Sequence, residues 1–415
     1  MVSAVFPGVY ASALAVHSPL IPARKGFPKL SIVMPCLNEA ETLGGCIQKA
    51  QNALTELAIA GEVVIADNGS TDGSQEIAER AGARVVDVGE RGYGSALRGG
   101  MSAALGEWIV IGDADDSYDF RSIAPFVRKL DEGYELVMGC RLPRGQGRIM
   151  KGAMPWKHRW IGNPVLTFLG RLFFKSPAND FHCGLRGLRK DAFLKMNLHS
   201  NGMEFASEMV MKATFAKLRV AEVPITLHKD GRSRPPHLRS WRDGWRHLRF
   251  MLLHCPTWLF FIPGLTLLAV GLGFGCRLVA GPLVIAGVGF DTNTLLVCAM
   301  AVIVGTQVTM FALFARVFAA VHGLLPVNER LEKVFSRFSL EGGLAAGIGL
   351  IVLGLSILIA AVLLWRHLGY GPMSYPQSLR MVIPAVTLLT VGVQICFSSF
   401  FLRLLAIPTN LFRRT

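Results

Sequence analysis

Four apolar runs, at roughly 257–280, 294–320, 342–365 and 381–404, dominate the last part of this 415-residue chain. Each is long enough to cross a bilayer as a helix. Backbone inside hydrocarbon must satisfy its own hydrogen bonds, so this part of the chain is confined to a helical bundle. Charge is partitioned accordingly: residues 1–256 hold 58 charged side chains and residues 257–415 hold 14. A polar half is thus followed by a membrane half. Arg316, near the end of the second run, can snorkel to an interface. The linker 321–341 carries Arg330, Lys333 and Arg337, and the C-terminus carries Arg403, Arg413 and Arg414. The linker 281–293 has no Lys or Arg, and 366–380 has only its two terminal arginines. The positive-inside rule then places the polar half, the middle linker and the C-terminus on the cytoplasmic side. An even number of spans meets that requirement. The expectation is a multi-pass protein of a bacterial-type inner membrane or its equivalent.

The polar half is uneven in sign. Residues 1–140 carry 11 Lys/Arg against 18 Asp/Glu, whereas residues 141–256 carry 22 against 7. A basic stretch abutting a membrane anchor points to anionic lipid or an anionic substrate. No nucleic-acid module can be read in it, so no nucleic acid is expected. The eight cysteines include no C-x-x-C pair and several lie in apolar runs, as in a reducing compartment. Residues 1–28 read as a short extension without a basic region ahead of a cleavable signal.

Between residues 30 and 140, β-branched runs alternate with helical stretches. Strands are expected at Leu30–Met34, Glu62–Ala66, Arg84–Val86, Trp108–Gly112 and Leu136–Gly139, with helices near 39–58, 71–81, 94–105 and 120–131. That alternation predicts an α/β domain with a largely parallel sheet and its site at the strand C-termini. Boundaries follow: extension 1–28, α/β domain 29–235, juxtamembrane amphipathic helix 236–256 and four-helix transmembrane domain 257–415.

Motifs cluster at the expected strand ends. Pro35-Cys36-Leu37-Asn38-Glu39 follows the first strand; Asp67-Asn68-Gly69-Ser70-Thr71-Asp72-Gly73 closes the second. A carboxylate at a strand tip can accept from a base's ring N–H, although either motif alone could be a cap or an Asx-type turn. Arg91-Gly92-Tyr93-Gly94 opens a helix whose N-terminus could admit a nucleotide or its phosphates. Asp113-Ala114-Asp115-Asp116 follows the apolar run Trp108–Gly112. Three carboxylates there are costly without a compensating cation. Alternate residues of an extended strand share a side, so Asp113 and Asp115 can grip one hard cation, Mg²⁺ or Mn²⁺, that also bridges a diphosphate.

Two stretches read as interfacial. In Arg239–Leu253, Trp241, Trp245, Leu248 and Leu252 fall on one helical face and Arg239, Arg242, Arg246 and Arg249 on another. That is the pattern of a helix lying among lipid headgroups, or of an amphipathic helix packed on its own domain. In Asn163–Phe174, Asn163 can cap, Pro164 suits the first turn, and Val165, Phe168, Leu169 and Leu172 form the stripe.

The ordered motifs over about residues 28–250 resemble family 2 glycosyltransferases with the nucleotide-sugar-binding GT-A (Rossmann-like) fold. With four C-terminal spans and a basic middle, the chain looks like the polyprenyl-phosphate sugar synthases, of the dolichol-phosphate mannose synthase or polyisoprenyl-phosphate glucosyltransferase type. The resemblance implies that Pro35, Glu39, Asp67 and Gly94 bind donor. It implies that Asp113 and Asp115 hold metal and diphosphate, and that Arg232, in Gly231-Arg232-Ser233-Arg234, closes over the leaving group. It places Arg141, Arg159 and Asn163 on the acceptor phosphate, and Asp180, in Asn179-Asp180-Phe181-His182-Cys183-Gly184, near the reacting centre. Glu204 and Glu208 lie on a helix facing the site or the core. The chain departs from some relatives at Ser117, where they carry Gln, and at Asn68, where many carry Asp and little consequence is expected. The implied partners are a UDP-glucose- or GDP-mannose-type donor, a dolichyl or undecaprenyl phosphate and the bilayer. The alternatives are a processive polysaccharide synthase and a non-catalytic transporter. The first usually carries Q-x-x-R-W; Trp156-Lys157-His158-Arg159-Trp160 lacks the Gln. Glycines at 264, 271, 273 and 275 could let helices approach closely, within the chain or in a homo-oligomer.

Overall fold

The computed structural model describes residues 26–233, 240–321 and 339–406, which fall into two compact units with the division between Met251 and Leu252. Arg234, Arg239, Arg330, Lys333, Arg337, Arg413, Arg414 and most of the N-terminal extension lie outside the described residues.

The first unit is built on seven strands: β1 (Leu30–Cys36), β2 (Gly61–Asp67), β3 (Arg84–Asp87), β4 (Trp108–Ile111), β5 (Leu136–Cys140), β7 (Arg186–Arg189) and β8 (Val220–Pro224), ordered β3-β2-β1-β4-β7-β5-β8. A short pair, β6 (Arg148–Ile149) with β9 (Thr226–Leu227), lies apart from it. The parallel core β3-β2-β1-β4 follows the expected strands within one or two residues. The sheet is mixed, however: β7 runs antiparallel to both β4 and β5. Its sequence, Arg-Gly-Leu-Arg, gave no apolar run to read, and β8 was not foreseen either.

Helices α1 (Leu43–Glu56), α2 (Ser74–Arg80), α3 (Tyr93–Ala103) and α4 (Ala124–Asp131) connect these strands; α5 (Asn163–Phe174), α6 (Lys190–Met196), α7 (Phe205–Phe215) and α8 (Ser240–Leu253) follow. Alternation along β1 supplies both faces of the sheet. Ile32 and Met34 join Leu43, Ile47 and Phe126 in one core. Val33 meets α3 on the other face, where a side chain at Gly100 would strike Val33 and Ala66. β1 has β2 on one side and β4 on the other, both parallel to it. The order reverses at that point, which opens a crevice beyond the C-terminal ends of the strands.

The second unit holds four apolar helices long enough to cross a membrane: Thr257–Val279, Thr292–Val321, Leu340–His367 and Tyr375–Leu405. The regular part of the first, Ile262–Val279, is α9, and the others are α10, α11 and α12. They pair through glycine. A Cβ at Gly264, Gly271 or Gly305 would meet backbone of the neighbouring helix of the α9–α10 pair, and one at Gly347, Gly354 or Gly392 backbone within α11–α12. Gly273, in contrast, has nothing near it. Arg316 donates to the Thr257 hydroxyl at 2.6 Å. A small hairpin, β10 (Leu283–Ile285) with β11 (Val288–Phe290), fills the loop before α10, and Arg380 pairs with Asp291 beside it.

Candidate active site

The crevice gathers the ends of β1, β2 and β4. Cys36 pairs in register with Asp67, and Val33 with Ile111, so the loops that follow emerge side by side. After β1, Asn38 takes a left-handed conformation (φ 59°) and does not cap a helix. Its amide donates to Ser70 Oγ at 2.9 Å, and its Oδ1 accepts from Thr71 N at 2.7 Å. The first two motifs are therefore one interlocked structure, with Glu39 N on Ser74 Oγ as a third tie. Pro35, within β1, is half-buried beside Asp67's neighbour Ala66.

Asp67 is fully buried. Its Oδ2 accepts from Gly69 N (3.0 Å), Ser70 N (3.0 Å) and Gln75 Nε2 (2.6 Å), while Oδ1 is buried with no partner among the described residues. Burial alone would raise its pKa; these donors outweigh burial and hold it below the usual carboxylate range. Asn68 matters more than expected. Its Nδ2 donates to the carbonyls of Val88 and Glu90 and its Oδ1 accepts from Gly92 N. An aspartate could not make the first two bonds.

The glycine-rich segment serves packing. The amides of Gly94 and Ser95 both point at the Asn201 carbonyl, and a side chain at Gly94 would strike the Ser200 carbonyl. The expectation of a helix N-terminus open to phosphate is therefore not met at these two amides, because a main-chain acceptor already occupies them. Glu208 is likewise a core residue, accepting from the amides of His199 and Ser200 and paired with Lys212 at 2.9 Å.

β4 ends at Ile111, so strand alternation is not what positions Asp113 and Asp115. They sit on a loop pinned by Thr42 Oγ1 donating to the Ala114 carbonyl (2.7 Å) and by Asp116 in a left-handed turn paired with Lys49. Asp113 Oδ1 accepts from Tyr93 Oη at 2.8 Å. Asp115 Oδ1 accepts from the amide and hydroxyl of Ser117, at 3.0 and 2.6 Å, so the departure at Ser117 orients the aspartate. Arg232 Nη2 donates to Asp115 Oδ2 (2.7 Å) and to Asp230 (3.1 Å), and Nη1 to Glu39 Oε1 (3.1 Å). Gly231 N closes the same loop onto the Asp115 carbonyl. Three carboxylates thus share one guanidinium, and Asp113 stands beside Asp115. Burial, and then the Asp115 charge, push Asp113 up to about 7. Among the described residues no group of three or more His, Cys, Asp or Glu side chains forms a metal cage.

Arg141 and Asp180 form a second arrangement. Asp180 is fully buried, and Arg141 Nε and Nη2 grip its two oxygens at 2.8 Å each, with Arg141 N on Oδ2 at 3.0 Å. Burial disfavours the Asp180 charge, but Arg141 overrides it and lowers the pKa. The fork of Arg141 is therefore held by Asp180, with Nη1 turned to Tyr118 Oη (3.5 Å). Tyr118 Oη also accepts from Gly184 N at 2.9 Å, and a Cβ on Gly184 would approach Asp113 Oδ2 at 2.8 Å. The two carboxylate groups are thus neighbours through Gly184 and Tyr118. Sequence reasoning gave no role to Tyr93, Tyr118 or Asp230, although Tyr93 lies within the Arg91–Gly94 motif and Asp230 directly precedes Gly231.

Arg159 lies outside this knot, on a widened helical turn, His158–Gly162, with its guanidinium 5.4 Å from the Trp160 ring. That turn runs straight into α5, so Asn163 does not cap; its Nδ2 contacts Met154 Sδ at 3.3 Å. α5 buries Thr167, Gly170 and Phe174 and exposes Val165, Phe168 and Leu172. α8 buries Asp243, His247 and Met251 against the unit, which leaves Trp241 (86% exposed) and Trp245 (58%) facing outward. The inward contact uses a face that the Trp/Arg pattern had not marked.

Residues 31–196 match the family described as glycosyl transferase family 2, and residues 313–406 match the glycosyltransferase family 2 C-terminal transmembrane region. The low-salt glycan biosynthesis hexosyltransferase Agl6 of Haloferax volcanii is 36% identical over 378 residues, covering 90% of this chain and 88% of that protein. A dolichyl-phosphate hexose transferase of the same organism is 28% identical over 199 residues, 48% of this chain and 82% of its own. Among solved structures, glucosyl-3-phosphoglycerate synthase from Mycobacterium tuberculosis, in complex with Mn²⁺, UDP and glucosyl-3-phosphoglycerate, superposes with a TM-score of 0.42 at 21% identity, covering 55% of this chain and 80% of that one. The chain belongs to glycosyltransferase family 2: it is a glycosyltransferase with a GT-A-like catalytic domain, carried by a multi-pass membrane protein with that family's C-terminal transmembrane region.

Proposed function

We propose that the enzyme transfers one sugar from a nucleoside-diphosphate sugar, of the UDP-glucose or GDP-mannose type, to a polyisoprenyl phosphate at the cytoplasmic leaflet, inverting the anomeric centre. The observation that carries this reading is the acid excess around Arg232: Glu39, Asp115 and Asp230 share its guanidinium, and Asp113 lies beside Asp115 with a raised pKa. Two aspartates without a full protein cage suit Mg²⁺ or Mn²⁺ that takes its remaining ligands from a diphosphate and water. Asp113 and Asp115 would hold that ion. When bound, it would neutralise the departing diphosphate.

The chain's own residues do the rest. Asp67 Oδ1, buried and unpartnered among the described residues, suits a ring N–H of the base, and Pro35, Glu39 and Gly94 would line the donor site. Arg232 can move from its carboxylates to the diphosphate. The acceptor phosphate has a second pKa near 6, so at neutral pH its oxygen attacks the anomeric carbon without a strong general base. A bond forms from phosphate oxygen to that carbon, the bond to the diphosphate breaks, and the electron pair leaves with the nucleoside diphosphate. Asp180 orients the sugar or the reaction centre. Arg141, held by Asp180, and Arg159 with Asn163 face the acceptor phosphate. A lipid acceptor is supported by the outward apolar faces of α5 and α8 and by the resemblance to a dolichyl-phosphate hexose transferase. The basic linkers support the cytoplasmic side.

The test is to incubate the purified full-length protein with polyprenyl phosphate, Mg²⁺ or Mn²⁺ and a panel of UDP- and GDP-sugars, and to weigh the lipid product. A single added hexose is expected. A polymer, or no lipid product with any donor, would overturn the proposal.

A further inference from the structure

Asp180 begins a short loop whose successive residues are gripped by different elements. Asp180 is held by Arg141 after β5. Phe181 donates its amide to Thr167 Oγ1 (3.4 Å), and its ring fills the space over Gly170, where a Cβ would come within 2.6 Å; both partners are on α5. His182 donates its amide to Asp180 Oδ1 (3.2 Å) and sends its side chain the other way, into α7 and α8. Arg186, itself 2% exposed, ties the Phe181, Cys183 and Ala206 carbonyls at 2.8–2.9 Å.

The His182 contacts are specific. Its ring meets that of His247 edge to face, with centroids 4.5 Å apart and planes at 83°. Ser207 Oγ lies between them, 2.9 Å from His247 Nδ1 and 3.4 Å from His182 Nε2. Burial, then His247 and the Arg141 and Arg186 charges, lower the His182 pKa, and burial brings that of His247 down to about 4 despite Glu204 and Asp243. Ser207 Oγ links the two rings, donating to one and accepting from the other. His182 Nδ1 is buried without a partner among the described residues.

We propose that His247, acting through Ser207 and His182, is a positioning residue for the Asp180–Arg141 pair, so that sugar transfer depends on how the Trp-bearing helix α8 is seated. The proposal rests on the reading that Asp180 lies at the reacting centre. The physical basis is continuity. The helix that turns Trp241 and Trp245 outward turns His247 inward, and His182 is two residues from the carboxylate whose placement sets the reaction geometry. Displacing a reacting group by about 1 Å can cost on the order of a hundredfold in rate.

The test uses full-length protein in lipid nanodiscs, with single-hexose transfer as the readout. His247→Ala is expected to lower kcat about tenfold or more while leaving the donor KM within about twofold. His247→Asn, whose amide can keep the Ser207 bond, should recover most of kcat. Ser207→Ala added to His247→Ala should cost little more, because the two residues act as one link. Wild-type kcat in His247→Ala alongside an inactive Asp180→Asn would overturn the positioning role. So would a loss that tracks a fall in melting temperature and that Asn does not rescue. An active Asp180→Asn would instead sink the underlying assignment of Asp180.

Discussion

Two carboxylate–arginine arrangements stand side by side at the tips of the sheet, and their chemistry is opposite. Asp180 has one arginine, both of its oxygens satisfied, and a lowered pKa. Asp113 has a tyrosine hydroxyl and a neighbouring aspartate, and its pKa is raised to about 7. Arg232, the cation nearest to that second group, is shared among Glu39, Asp115 and Asp230. A satisfied pair is scaffold that places its members; an acid excess is a site in want of positive charge. Ligand binding should therefore change the Asp113–Asp115 side of the site and leave the Asp180–Arg141 pair as it is.

The largest effect expected from this contrast is on catalysis. Asp115→Asn should lower sugar transfer by about a hundredfold or more with the fold intact, and EDTA should do the same to wild type until Mg²⁺ or Mn²⁺ is restored. Near-normal turnover in either case would erase the distinction. On the other side, Arg141→Ala should cost about 3–5 kcal/mol of stability, read from denaturation, because it strands a buried carboxylate. Arg141→Met with Asp180→Leu should recover much of that loss. A soluble, stable Arg141→Ala protein would show that the pair is not scaffold.

Arg232→Ala should be gentler, lowering kcat about tenfold with little change in melting temperature, since its partners are carboxylates that a metal ion can also neutralise. The smallest effect is on pH dependence. The folded-state pKa of Asp113 lies above the ordinary 3.8, so the folded protein holds this proton more tightly than the unfolded chain does. Metal-free protein should therefore lose stability as pH rises from 3.8 through about 7, and Asp113→Asn should flatten that slope. Asp180 contributes with the opposite sign: its stabilisation is present above the ordinary carboxylate pKa and is lost as pH falls through its lowered value. A melting profile that rises toward neutrality in the metal-free protein, unchanged by Asp113→Asn, would contradict the assignment.

Much of this was legible in linear order. Strands β1 to β5 announced themselves as β-branched runs with turn residues at their ends, and four membrane helices as apolar runs, because burial in sheet or bilayer demands apolar composition over a fixed length. The motif carboxylates were legible because acids directly after a buried strand need compensation. β7 was not, since Arg186-Gly187-Leu188-Arg189 has no apolar run of its own, and its place between β4 and β5 comes from pairing with residues some fifty to eighty positions away.

Residue types and their order set which side chains carry charge, which runs must be buried, and the family to which the chain belongs. How the charges are divided emerges in three dimensions: Arg141 belongs to Asp180, Arg232 is shared among three acids, the Gly94 and Ser95 amides of α3 are already bonded, and His247 reaches the Asp180 loop. The physical reason is that hydrophobic burial is a property of each residue and its near neighbours in the chain. A hydrogen bond or ion pair, in contrast, is settled by which partner arrives within about 3 Å, and that depends on the whole fold.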